Sequence, residues 1–196
     1  MTGIIIAGGK NTRMGREKAF LDIGGERIID RILSIYRDLF DEVIIVTNNP
    51  LAYGEFDALI VTDLIPGKGA LGGIYTGLFY SSSDHAFVAA CDMPFLDKDF
   101  IREMMHHAET ADIFVPRSPD GLQPLHAIYA RKYLPAIEKR IRANELKITG
   151  FYGRKKTEIL PPEIITRFDP DHRMFVNVNT ENELSQVQSL AAIDSQ

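Results

Sequence analysis

Short apolar runs that alternate with longer stretches of helical period are the feature that most limits what this chain can fold into. Residues 3–6, 43–46, 59–61, 86–91 and 113–115 are apolar runs of strand length. Between them, residues 27–39, 71–80 and 97–107 have the spacing or entry signals of helices: Ile28, Ile29, Ile32, Leu33 and Ile35 form one apolar face, and Asp97 is placed to cap the third. The 86–91 run is apolar on both faces, which suits a central strand. The pattern predicts an α/β fold, an open and mostly parallel sheet with helices on both sides. The last third is less regular. Strands are expected at 125–129 and 175–178, and helices between 135 and 152. Thr180 and Glu183 have capping-box spacing for a final helix, with a loose tail beyond Leu190. At 196 residues the chain suits one domain over residues 1–190 and a tail over 191–196.

The segment after the first run is unusual. Ile6-Ala7-Gly8-Gly9-Lys10-Asn11-Thr12-Arg13-Met14-Gly15-Arg16-Glu17-Lys18 is a long, basic, glycine-rich loop at the carboxyl end of a strand, the edge where open α/β sheets bind ligands. Gly8 and Gly9 let backbone N–H groups approach phosphates or a base closely. Arg13 and Lys18, with Lys10 and Arg16 in reserve, supply positive charge. The loop is not a P-loop, because Arg16-Glu17 comes after Gly15 where that motif needs Lys-Ser/Thr. The G-x-G-x-x-G dinucleotide fingerprint is also absent. A triphosphate is the ligand such a loop can wrap.

The fourth run leads straight into Asp92-Met93-Pro94. Pro94 keeps Met93 extended and delays the next helix, which places Asp92 at the same edge as the basic loop. A carboxylate facing phosphates requires a cation between them. Mg²⁺ suits one carboxylate plus phosphate oxygens, so Asp92 is the candidate metal ligand. Cys91 is the only cysteine, which excludes an internal disulfide and a cysteine zinc site, and it reads as buried filler.

Other elements are open to two readings. Asp63, before the glycine-rich 67–73 stretch, could accept hydrogen bonds from a base edge or a ribose, or lie near the metal; that stretch could equally be a close-packed helix entry. Asn177 and Asn179 alternate with Val176 and Val178, which suits either a polar cleft wall or turn chemistry. Gln123-Pro124-Leu125-His126 shares that ambiguity. The net charge of -5 argues against a nucleic-acid surface, and no run spans a bilayer or forms a secretion signal, so a cytoplasmic location is expected. Residues 131–156 nevertheless hold nine Lys or Arg and two acids, which suits either a small anionic ligand or a solvated helix face.

Taken together, Ile6-Ala7-Gly8-Gly9, Arg13-Met14-Gly15, Lys18, Gly69-Ala70-Leu71-Gly72-Gly73, Cys91-Asp92-Met93-Pro94 and Val176-Asn177-Val178-Asn179-Thr180 resemble the molybdenum cofactor guanylyltransferases over nearly the whole chain. The first loop and the Asp92 element are shared with many nucleotidyltransferases. The last two motifs are more particular to the guanylyl enzymes. The resemblance implies a Rossmann-like fold of the nucleoside-diphospho-sugar transferase type. It implies transfer of GMP from GTP to the terminal phosphate of molybdopterin, with Mg²⁺ as cofactor. Residues 1–115 would form the GTP part and 116–190 the molybdopterin part.

Carried over residue by residue, Ile6, Ala7, Gly8, Gly9, Lys18, Asp63, Gly72 and the Thr47-Asn48-Asn49 stretch, Asn48 foremost, would contact GTP. Asp92 would hold Mg²⁺ and nucleotide, while Arg13, Lys18 and Asp92 would carry catalysis. Asn177, Asn179 and part of the basic region would line the molybdopterin side, with transient contact to proteins of the same pathway. Two departures are visible: Ala70 stands where the family often has proline, and the loop between Met14 and Lys18 is short. A cytidylyl or adenylyl transferase on a related pterin or sugar phosphate is the neighbouring alternative. A non-catalytic nucleotide sensor would be expected to lack Arg13, Lys18 or Asp92, and all three are present.

Overall fold

The computed structural model describes residues 1–8, 17–108, 110–153, 156–171 and 173–194. Gly9, Arg13 and the rest of the 9–16 stretch lie outside the described residues, as do Arg154 and Lys155.

Strand β1 (Thr2–Ile6) leads to a hairpin, β2 (Asp22–Ile23) and β3 (Glu26–Arg27), then to α1 (Ile28–Leu39). Gly24 and Gly25 make that turn at φ 66° and 88°, a conformation glycine adopts at no steric cost. The chain continues through β4 (Glu42–Val46), β5 (Leu59–Val61), α2 (Gly69–Tyr80), β6 (His85–Ala90) and α3 (Lys98–His107). Then come β7 (Ile113–Ser118), β8 (Gly121–Leu122), β9 (His126–Ala130), α4 (Leu134–Arg142), β10 (Thr157–Leu160), α5 (Pro162–Phe168) and α6 (Glu181–Asp194).

The sheet runs β10-β7-β9-β6-β1-β4-β5, with β8 paired to β7. β6, β1, β4 and β5 are parallel, as are β10 and β7, whereas β9 is antiparallel to both its neighbours. From β1 the chain moves outward through β4 to β5, then crosses back to add β6 on the other side of β1. The strand order therefore reverses between β1 and β6, which makes the carboxyl end of that pair the topological switch point, where such sheets bind ligands.

Each face of the sheet carries its own core. Ile4, Ile6, Ile44, Val46 and Val88 pack against α2 and α4; Ile5, Ile45, Phe87, Ala89 and Phe114 pack against α1, α3, α5 and α6. Residues one apart in a strand thus enter opposite cores, which is why the central runs are continuously apolar. Close seating of α2 on β1 depends on Gly73 and Gly77. A Cβ on Gly77 would lie 2.6 Å from Ile4 Cγ2, and one on Gly73 3.0 Å from Ile6 Cγ2.

The expected sheet with helices on both faces is observed, with three corrections. The 175–178 stretch is not a strand. Val178 N–H donates to the Asp92 carbonyl at 3.0 Å, but no ladder extends from that bond, and the alternation reflects burial of Val178 alone. The tail is not loose from Leu190, because α6 continues to Asp194 and buries Ala191. A boundary at 115/116 would cut through β7, so the two expected parts share one sheet. The capping box forms as read: Glu183 N–H donates to Thr180 Oγ1 at 3.2 Å and Thr180 N–H to Glu183 Oε2 at 2.9 Å.

His126 is a buried polar group with an unusual setting. It is 0 % exposed, its ring faces Phe87, Phe100 and Phe175 at 5.1, 5.6 and 5.2 Å, and neither ring nitrogen has a hydrogen-bond partner. Burial pushes its pKa down to about 3. An unfolded histidine titrates near ~6.5, so below that pH the unfolded chain binds a proton that the folded chain refuses. Stability therefore falls as pH drops from ~6.5 toward ~3. His126→Phe, which keeps an apolar ring, is expected to flatten this fall. Urea midpoints measured from about pH 7 to about pH 4 check it: a native-like slope in the variant refutes the assignment.

Candidate active site

The site assembles where β1 and β6 end side by side. Cys91 N–H donates to the Ile6 carbonyl at 3.1 Å, and Ala7 N–H to Val46 at 2.8 Å, so strand register alone carries Ala7, Gly8 and Asp92 to one edge. Asp97 Oδ1 caps α3 by accepting from Phe100 N–H at 2.6 Å. The helix therefore starts only at Lys98 and leaves Asp92 in the turn before it.

Lys18, at the start of a 3-10 turn (Lys18–Phe20), is the hub. Its Nζ donates to Asp92 Oδ2 at 3.0 Å and to Asn179 Oδ1 at 2.6 Å, and the Lys18 and Asp92 side chains are only 22 % and 17 % exposed. One ammonium thus joins the loop after β1, the turn after β6 and the segment before α6. Partial burial makes the attraction stronger than at an open surface.

Three cavities adjoin along this edge. The central one is lined by Ile6, Ala7, Gly8, Lys18, Cys91 and Asp92, together with Glu17 and Tyr53. On one side a cavity of about 360 Å³ shares Ile6 and Gly8 and extends to Asn48, Asp63, Gly69 and Gly73. On the other a cavity of about 280 Å³ shares Asp92 and extends to Gln123, Pro124, Asn177 and Asn179. Together they form one groove, with the Lys18–Asp92 pair between two chambers.

In the first chamber Asn48 Nδ2 donates to Asp63 Oδ2 at 3.0 Å, which brings together two residues read separately from the sequence. Thr47 is buried and its hydroxyl accepts from Asn49 N–H, while Asn49 Nδ2 donates to Glu17 Oε1 at 2.6 Å. Asn48 is therefore the member of that stretch that lines the chamber. Gly72 lies elsewhere: a Cβ there would meet Lys68 Cβ at 2.9 Å and the Ile65 carbonyl. Gly69 and Gly73 line the groove instead. Their four-residue spacing, continued by Gly77, marks one helix face and was the available signal.

In the second chamber Asn177 and Asn179 share a wall, one of the two readings their alternation left open. The opposite wall arises because β9 is antiparallel. Its leading turn, Gln123 to Leu125, meets the end of β6 through Ala90 N–H donating to the Leu125 carbonyl at 3.2 Å. Gln123 is held by its own donation to Ser118 Oγ at 2.7 Å.

The basic region does not line either chamber among the described residues. Lys132 and Lys156 converge on Asp112, Arg140 pairs with Glu145, Arg142 pairs with Glu138, and Arg131 caps the last carbonyls of α2. Among the described residues, these five are engaged locally.

Glu17 and Tyr53 were not legible as site residues. Burial first, then the neighbouring Cys91 and Glu17, raise the Tyr53 hydroxyl well above its ordinary pKa and keep it neutral. Burial, reinforced by the Asp92 charge, pushes the Cys91 thiol up to about 12, so it offers little thiolate at neutral pH and is no nucleophile.

Residues 3–155 match the MobA-like NTP transferase domain. The chain belongs to that family. This MobA-like transferase is 35% identical over 191 residues to a molybdenum cofactor guanylyltransferase of Desulfosudis oleivorans, covering 96% of this chain and 95% of that protein. It is 38% identical over 193 residues to a probable molybdenum cofactor guanylyltransferase of Pelotomaculum thermopropionicum, covering 97% and 93%. Its fold superposes on molybdopterin-guanine dinucleotide biosynthesis protein A of Archaeoglobus fulgidus with a TM-score of 0.86, at 26% identity over 98% of this chain and 100% of that one. The 4-diphosphocytidyl-2C-methyl-D-erythritol synthase of Anaerococcus prevotii, at 13% identity and a TM-score of 0.70 over 97% of both chains, shares the fold. Among the described residues, no helix is long and apolar enough to cross a membrane.

Proposed function

We propose that the protein transfers GMP from GTP to the terminal phosphate of molybdopterin, yielding molybdopterin guanine dinucleotide and pyrophosphate. The observation that carries this reading is the Lys18–Asp92 pair standing between two chambers at the switch point. A transferase that joins two phosphorylated substrates needs that layout. The Asn48–Asp63 chamber takes the nucleoside, Asp63 offering acceptor oxygens to the N–H groups of a guanine edge or to the ribose. The Asn177–Asn179 chamber takes the pterin phosphate, and both phosphate ends meet at Lys18. The parts assigned to the two substrates correspond to the chambers rather than to a break in the chain.

The residues fit a magnesium ion. Asp92 Oδ2 engages Lys18, whereas Oδ1 is engaged by no described residue. No cluster of three or more His, Cys, Asp or Glu suited to a metal occurs among the described residues. That donor set suits a cation that takes one carboxylate and completes its shell with phosphates and water. When bound, the ion would offset charge on the triphosphate and the departing pyrophosphate. The protein's own part is alignment and charge: Lys18 faces the developing negative charge, and the groove holds acceptor and donor phosphates in line. The attacking phosphate is already anionic at neutral pH, so the reaction needs no general base. Arg13, outside the described residues, belongs to the same reading as a second cation, and a reaction that consumes GTP belongs in the cytoplasm.

Calorimetry with GTP, CTP and ATP in the presence of Mg²⁺ tests base choice, and a pyrophosphate assay on adding molybdopterin then tests transfer. Preference for GTP and stoichiometric pyrophosphate are expected. Tighter binding of CTP, or binding without pyrophosphate release, overturns the guanylyl reading.

A further inference from the structure

We infer that Asn179 serves the nucleotide as a positioning residue for Lys18, and not only the second chamber whose wall it forms. The inference rests on the guanylyl reading. A lysine ammonium has three donors. Asp92 Oδ2 takes one at 3.0 Å and Asn179 Oδ1 another at 2.6 Å, which leaves the third for the central cavity that Lys18 lines. A free lysine side chain samples many rotamers; one held by two acceptors presents its remaining N–H in a narrow range of directions.

Asn179 is itself held. Its N–H donates to Glu183 Oε2 at 2.7 Å, and the preceding Val178 N–H donates to the Asp92 carbonyl at 3.0 Å. The amide is therefore a fixed bracket. Its Oδ1 faces Lys18 and the nucleotide half, while no described residue engages its Nδ2, which remains available to the second chamber. Asn177 shares the chamber but makes no contact with Lys18; its Nδ2 donates to the Phe175 carbonyl. The two asparagines, alike in sequence, divide the work: Asn177 serves the acceptor and Asn179 joins both halves.

The test is GTP affinity with Mg²⁺ and no second substrate, measured by calorimetry on the native chain, Asn179→Ala, Asn177→Ala, Lys18→Gln and the Lys18→Gln/Asn179→Ala double variant. Loss of a hydrogen bond to a charged group predicts about tenfold weaker GTP binding in Asn179→Ala. Asn177→Ala should bind GTP as the native chain does. The effect of Asn179→Ala should disappear in the Lys18→Gln background, because a residue that acts through Lys18 has nothing left to position. If Asn179→Ala does not fold, the near-isosteric Asn179→Leu carries the same test. Native-like GTP affinity in the Asn179 variant overturns the inference alone. An equal loss in both backgrounds makes Asn179 a direct ligand and also overturns it. Absence of GTP binding by the native chain overturns the guanylyl reading and this inference with it.

Discussion

Replacing Asp92 with alanine is expected to lower Mg²⁺-dependent turnover by on the order of 10³-fold while leaving the fold intact. Asp92 combines two roles that a single side chain rarely combines. It is the carboxylate at the switch point that fits a cation, and it holds Lys18 at 3.0 Å. Removing it would take away the proposed metal ligand and leave Lys18 on Asn179 alone. Both losses act on charge that develops between donor and acceptor phosphates, so kcat should fall far more than GTP affinity. The fold should survive because the structural duty at this position belongs to the backbone: the Asp92 carbonyl, not its side chain, accepts from Val178 N–H. Steady-state kinetics over a Mg²⁺ series, paired with a thermal melt, check the claim. Turnover within tenfold of the native value would remove Asp92 from the metal site.

The largest effect on stability is expected from Phe87→Ala. Phe87 lies on β6, the strand between β1 and β9, and it is fully buried. Its ring stacks on Phe40 at 5.8 Å and meets Tyr36 and His126 edge-on at 5.9 and 5.1 Å. These neighbours come from α1, from the residue that ends it and from β9, so the ring joins three parts of the core. Truncation leaves a cavity that a rigid sheet cannot collapse around. The expected loss is about 3–5 kcal/mol, which lowers Tm by about 10 °C in a chain of this size. Urea unfolding should show a lower midpoint at an unchanged slope. A loss below about 1 kcal/mol would mean that the aromatic cluster repacks freely.

The half of the sheet from β1 to β6 was legible in the sequence for a physical reason. Strands covered on both faces are apolar at every position, and α1 shows a clear 3.6-residue period, whereas α2, apolar nearly all round, is legible only from its glycine-rich entry. The other half was harder. β10 is short and peripheral, with Glu158 and Ile159 exposed, so it carries neither a continuous run nor a clean alternation. The direction of β9 leaves no trace in its residues, since His126 to Ala130 is buried on both faces either way. Only pairing reveals that its leading turn reaches the groove.

Ile6, Ala7, Gly8, Lys18, Asn48, Asp63 and Asp92, all read from the sequence, line the groove because motif and strand end coincide. Glu17 and Tyr53 escaped because each enters through a short 3-10 turn or a loop, where side-chain direction depends on tertiary packing. Gly72 was chosen over Gly69 and Gly73 because a glycine-rich string does not by itself say which face of the helix it lines.

The Lys18–Asn179 bond spans 161 positions of chain. Its two ends are brought together by α6, whose Gln188 Nε2 donates to the Asp22 carbonyl at 3.0 Å, just past Lys18 in sequence. The first chamber is lined by residues between Ile6 and Gly73, whereas the Lys18–Asn179 bond needs a residue near 180. Loss of α6 would remove the Glu183 carboxylate that holds the Asn179 N–H, and so loosen one of the two acceptors that fix Lys18.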